Sequence, residues 1–168
     1  RFFPGVLINA AEVSFLKAEA YVKSGNATAA QAAYETGVRQ SAEFYFNVRK
    51  LSGDNTAGTA AALTTAELDA YLAKPAISWT AATTTAAKWT LIAYQKWIHF
   101  NVVQSLENWA ETRRLKLVKL TLKDDATAQA KTPTRWFYPS GEGVYNVANY
   151  NAVKANDNLS TKLFWDVR

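Results

Sequence analysis

Apolar and polar positions recur at helical spacing along most of the chain. Within Gln95–Arg114, QKWIHFNVVQSLENWAETRR, the side that starts at Tyr94 continues through Ile98 and Val102 at four-residue steps, then through Ser105 and Trp109. This stripe predicts one long helix, beginning near Ala86 and running unbroken to Arg114, with the stripe as its buried side. Upstream, Val13, Leu16, Ala20 and Val22 predict a helix from Ala10 to the stop Ser24-Gly25-Asn26, where Gly25 suits the left-handed position past a helix end. A second helix is predicted from about Thr28 to Phe46. Residues 50–64 read as a polar loop. Thr65 reads as the cap of a short helix, TAELDAYLA, that turns Leu68 and Leu72 inward and stops at Pro75. Residues 76–85 form a second loop around Trp79. Phe2–Pro4 reads as extended.

Beyond Arg114, Leu115–Lys123 partly alternates apolar and basic residues, as a short strand or the frayed end of the helix would. Residues 124–134 read as a linker. The remainder, TRWFYPSGEGVYNVANYNAVKANDNLSTKLFWDVR, shows little helical character and carries enough aromatic surface to need burial, so it is expected to wrap back over the helices.

The first two helices are spaced like a tetratricopeptide hairpin. Small residues at Ala18, Ala30 and Gly37 alternate with Tyr21 and Tyr34, allowing close helix approach while the tyrosines fill the gap. One such pair cannot bury both its faces alone and needs neighbours. The fold class is therefore mainly α: tetratricopeptide-like hairpins plus a long helix, with an irregular carboxy-terminal tail packed over them.

Composition narrows the chemistry. With 49% apolar and 20% charged residues the chain is a folded body, and its net charge of +5 is too mild to indicate a nucleic-acid partner. The densest basic run, Arg113, Arg114, Lys116, Lys119 and Lys123, lacks the interleaved aromatics of a nucleic-acid groove. The absence of cysteine removes disulfides, thiolate metal sites and thiol nucleophiles. A single histidine, His99, has no histidine partner for a metal site, and no catalytic residue, metal or cofactor is expected. Glu12 and Glu19, seven positions apart, suit solvation or a neighbouring helix end better than acid–base work. No run of eighteen apolar residues spans a bilayer. The opening RFFPG, with neither Met nor leader, reads as a processed or partial piece.

For ligand contact, Trp79 on its polar loop is the first candidate, because stacking a sugar or peptide ring needs an exposed flat face; Trp136 and Tyr145 follow. Glu107, Trp109, Arg113 and Arg114 read either as a binding site or as the end of a buried helix.

Several stretches then line up in order. AEVSFLKAEAYVKSG, VRQS, QKWIHF…ENWAETRR, RWFYPSGEGVYNVANY and the closing FWD resemble the carboxy-terminal half of SusD/RagB-type (SusD-like) nutrient-binding lipoproteins of Bacteroidetes-type bacteria, across nearly all 168 residues. Two departures stand out: LKLVKL replaces the Gly and Pro usual after the paired arginines, and the amino-terminal half with its lipidated cysteine is missing. The resemblance implies one helical domain held at the outer-membrane surface by a lipid anchor outside this stretch. It implies no enzyme, but a protein that binds oligosaccharides or peptides and acts as the lid of a SusC-type TonB-dependent β-barrel transporter. It makes Glu107, Trp109, Arg113, Arg114, Tyr138, Pro139, Glu142 and Asn146 mainly architectural, with Glu142 or Asp166 of the tail meeting Arg113 or Arg114. The alternative is a tetratricopeptide-like scaffold that binds a protein partner without transport.

Overall fold

The computed structural model describes residues 5–53, 58, 61–101, 103–121 and 132–167. Phe2–Pro4, residues 124–131 of the expected linker, most of the loop tip at 54–60 and Val102 lie outside them. The described residues are helical and turn, without a strand, and divide into two compact units, 1–118 and 119–168.

The first unit is built on a hairpin. Helix α1 (Ala10–Ser24) starts at Asn9, whose side chain accepts the Glu12 N–H at 3.0 Å, and ends at Gly25, which takes the left-handed φ of 78°. Asn26 caps α2 (Ala27–Leu51) by accepting the Ala29 N–H at 3.1 Å, so two residues suffice to reverse the chain. The helix runs five residues past the predicted Phe46. Ala11, Phe15 and Ala18 of α1 meet Ala30, Tyr34, Gly37 and Val38 of α2. Gly37 is needed there: a Cβ at this position would lie 2.7 Å from the Phe15 ring. The small–large alternation read in the sequence is therefore the packing of the hairpin.

Helix α3 (Thr65–Leu72) is capped one residue earlier than predicted. Thr64 and Glu67 form the reciprocal capping box, and the bonds from Thr64 hold the Glu67 carboxyl below its usual range. Leu72 and Tyr71 pack against the core, and an Arg39–Asp69 ion pair ties α2 to α3.

The predicted long helix is two helices. Helix α4 (Thr85–Phe100), capped by Thr84, stops at Asn101, and α5 (Ser105–Leu115) follows after a turn. The Val103 N–H donates to Phe100 O at 3.1 Å, and Asn101 sits in that turn at φ 42°, ψ −134°. Glycine adopts this backbone most readily, and asparagine is among the few other residues that tolerate it. The buried side also differs from the predicted stripe. Tyr94 and Ile98 are 37% and 44% exposed, whereas Ile92, Ala93, Gln95, Lys96, His99 and Phe100 are buried. Lys116, at φ 56°, ends α5, and residues 117–121 form neither strand nor helix.

The second unit is mostly irregular, as expected of the tail, with short helical pieces set into it. It contains α6 (Glu142–Tyr145), α7 (Val147–Val153) and a 3-10 turn, Lys154–Asn156. Asp157 organises it, accepting the Tyr138 N–H at 2.8 Å and the Tyr150 hydroxyl at 2.7 Å. Those two bonds hold the Asp157 carboxyl below its usual range. The Thr134 N–H donates to Leu159 O at 2.8 Å, closing the unit's ends together.

Candidate functional site

The polar residues that α4 turns inward are all partnered. Lys96, 1% exposed, donates to Glu19 of α1 at 2.8 Å and to Glu111 of α5, while Arg114 reaches both Glu19 oxygens at 2.8 and 2.7 Å and Glu111. Two cations and two carboxylates cancel in this cluster. Hydrogen bonds that Arg114 donates to Glu111 and Glu19 raise its pKa despite its partial burial. Burial pushes Glu111 up, but the Arg114 and Lys96 hydrogen bonds outweigh it and leave the carboxyl low.

His99, also 1% exposed, lies one turn further along. Asn9 Oδ1 can only accept, so His99 Nε2–H donates to it at 2.8 Å, and Nδ1 then accepts the Ser41 hydroxyl at 2.9 Å. Asn9 Nδ2 donates to Gln104 Oε1 at 3.0 Å, and Gln104 donates to Glu12 at 3.2 Å. This chain ties α1, α2, α4 and the α5 cap together. Burial lowers the His99 pKa to about 4, so the ring is neutral at pH 7. With both ring nitrogens engaged and no open face, it is a structural residue.

The sequence candidates separate sharply. Trp79 is only 5% exposed: its ring packs 5.2 Å from Tyr34, whose hydroxyl donates to Ile77 O at 2.8 Å, and Lys88 lies 5.4 Å from the ring. The expectation of an exposed stacking face is overturned, because the loop folds the indole into the core. Trp136 and Tyr145 are 64% and 91% exposed. Trp109 stacks under Arg113 at 4.6 Å, and Glu107 is exposed in the first turn of α5. Arg114 holds Glu19 and Glu111 within the first unit. Glu142 accepts from Asn146 at 2.8 Å, Tyr138 packs edge-on to Tyr150 with Arg135 4.7 Å from its ring, and Pro139 O accepts the Glu142 N–H.

A hollow of about 420 Å³ opens at the α4–α5 turn, lined by Trp97, Ile98, Asn101 and Asn108. Asn108 Nδ2 donates to Trp97 O and Asn101 O, both at 3.2 Å, clamping the turn in place. Asn108 Oδ1 is left without a partner among the described residues. Backbone of this kind costs about 1–3 kcal/mol, and the Asn108 clamp offsets part of it. Sequence reasoning placed Ile98 on the buried stripe and singled out none of the other three; the one local signal was an asparagine, Asn101, within a helical pattern.

Residues 2–139 match the protein family described as SusD-like, "Starch-binding associating with outer membrane". The chain belongs to the SusD-like family. Solved structures agree. A SusD-like protein of Bacteroidetes AC2a superposes with a TM-score of 0.77 at 29% identity, over 98% of this chain and 31% of its own. A SusD homologue from Bacteroides fragilis NCTC 9343 gives 0.72 at 26% identity, over 98% of this chain and 35% of its own. This SusD-like chain therefore spans about a third of the length of these relatives. No protein of curated function matches it.

Proposed function

We propose that the chain is the carboxy-terminal part of a cell-surface, lipid-anchored nutrient-binding protein that captures oligosaccharides or oligopeptides. In this reading it serves as the lid of a SusC-type TonB-dependent transporter in the outer membrane. The observation that carries it is the SusD-like match over residues 2–139, whose family is described as starch-binding and associated with the outer membrane. The structure adds support on chemistry. The side chains that could suggest catalysis, His99, Ser41, Glu19 and Lys96, are committed to one another inside the fold. Aromatic side chains at Trp136 and Tyr145, in contrast, are 64% and 91% exposed.

Purifying the full-length protein from native outer membrane tests the reading. Co-elution of a large β-barrel of the TonB-dependent type is the expected result. A protein that fractionates away from the outer membrane, or that elutes with a soluble partner and no barrel, would instead make it a tetratricopeptide-like scaffold.

A further inference from the structure

We propose that the hollow at the α4–α5 turn is a subsite for an uncharged pyranose ring. The proposal rests on the nutrient-binding reading above and names residues and a ligand class for it. Three features meet there. The Trp97 side chain is partly exposed, with no ring or cation stacked on it among the described residues. The polar groups around it are unused by the fold: the Trp97 indole N–H and the Asn101 carboxamide have no hydrogen-bond partner among the described residues, and neither has Asn108 Oδ1. The third feature is Asn101 itself, held in a backbone conformation that glycine adopts with less strain. Glycine would relax the turn and remove the carboxamide; asparagine keeps it beside the indole.

This lining selects for chemistry. Among the described residues it contains no charged one, so these offer nothing to balance a phosphate, uronate, carboxylate or ammonium group. An indole face and Ile98 suit the C–H face of a sugar ring, while carboxamides supply both donors and acceptors for hydroxyls. The volume lies in the range of about 300–1,000 Å³ usual for small-ligand sites. No strand borders the hollow among the described residues, so a peptide cannot join it by strand addition.

The test uses the full-length protein, with maltoheptaose as first probe and other neutral oligosaccharides, oligogalacturonate and an oligopeptide pool beside it. N-bromosuccinimide oxidation of Trp97, read by peptide mass, is expected to be fast in the free protein and suppressed by the neutral sugar that binds. Trp97→Ala is expected to weaken that sugar about tenfold, and Trp97→Tyr to retain most of the affinity. Asn101→Gly is expected to melt higher than the wild type and yet bind several-fold more weakly, an opposition that a purely structural residue would not produce. The protection measurement needs no variant, so a misfolded Trp97→Ala leaves the test intact. If a sugar binds but Trp97 is oxidised equally with and without it, the subsite is wrong and the nutrient-binding reading stands. A Trp97 already shielded in the free full-length protein overturns the subsite too, since the rest of the chain would then fill the hollow. If only the peptides or oligogalacturonate bind, the ligand class is wrong; if nothing in any class binds, nutrient capture falls with it.

Discussion

The two sides of α4 reverse the usual arrangement. Gln95, Lys96 and His99 face inward and are buried, while Tyr94, Trp97 and Ile98 face outward and are 37–44% exposed. Polarity alone does not choose the buried side of a helix; satisfied partners do. Each inward polar group meets its complement: Lys96 has two carboxylates, His99 a donor and an acceptor, and Gln95 donates to the Tyr71 hydroxyl at 3.0 Å. Of the outward groups, Trp97 and Ile98 border the hollow at the turn.

The inner side is the one whose disruption should cost most. Lys96→Ala leaves Glu19 and Glu111 buried with Arg114 alone, and should lower unfolding free energy by about 3–5 kcal/mol in urea titrations. A loss below about 1 kcal/mol would mean that the cluster is hydrated and the contrast between the sides is superficial. Next comes His99, whose folded pKa is depressed. The unfolded chain therefore takes up the proton first, and stability is complete above the usual pKa of 6.5 and drains as pH falls towards about 4. Over that window the loss attributable to His99 should reach about 3 kcal/mol, and His99→Gln should remove that part of the pH dependence.

At the boundary between the sides, Asn101→Gly should stabilise the protein by about 1 kcal/mol, seen as a higher melting temperature. The smallest effect belongs to the outer side: Ile98→Ser should change stability by no more than about 0.5 kcal/mol. The same substitution in the full-length protein sharpens the comparison, because a larger loss there would show that further chain covers this side.

Local features were legible in the sequence. The bounds of α1 and the role of Gly25 depend on neighbours a few positions away, the alternation of Ala18, Ala30, Gly37 and Tyr34 on the adjacent helix of one hairpin, and all stand in the structure. The family was legible too, through motifs spread along the chain in a fixed order. The inner side of α4 was not, because Lys96 finds its partners 77 and 15 positions away and nothing in its own helix announces them. Trp79 misled for the same reason: a polar loop suggested exposure, but Tyr34 on α2 supplies the surface that buries the indole. The break at Asn101 was hidden because the apolar spacing carries across it, and the turn is held by Asn108 from beyond the break.

The reach of the charged cluster also bears on the order of folding. Glu19 lies 95 positions before Arg114 and 77 before Lys96. The α1–α2 hairpin closes through short-range contacts and can form early, but its Glu19 carboxylate must stay hydrated until α4 and α5 arrive. At a synthesis rate of about 5–20 residues per second, that wait lasts roughly 5–20 s. Desolvation of two cations and two anions is thereby deferred to one late, concerted docking step, and a nascent chain stalled before Arg114 holds an ion cluster it cannot balance.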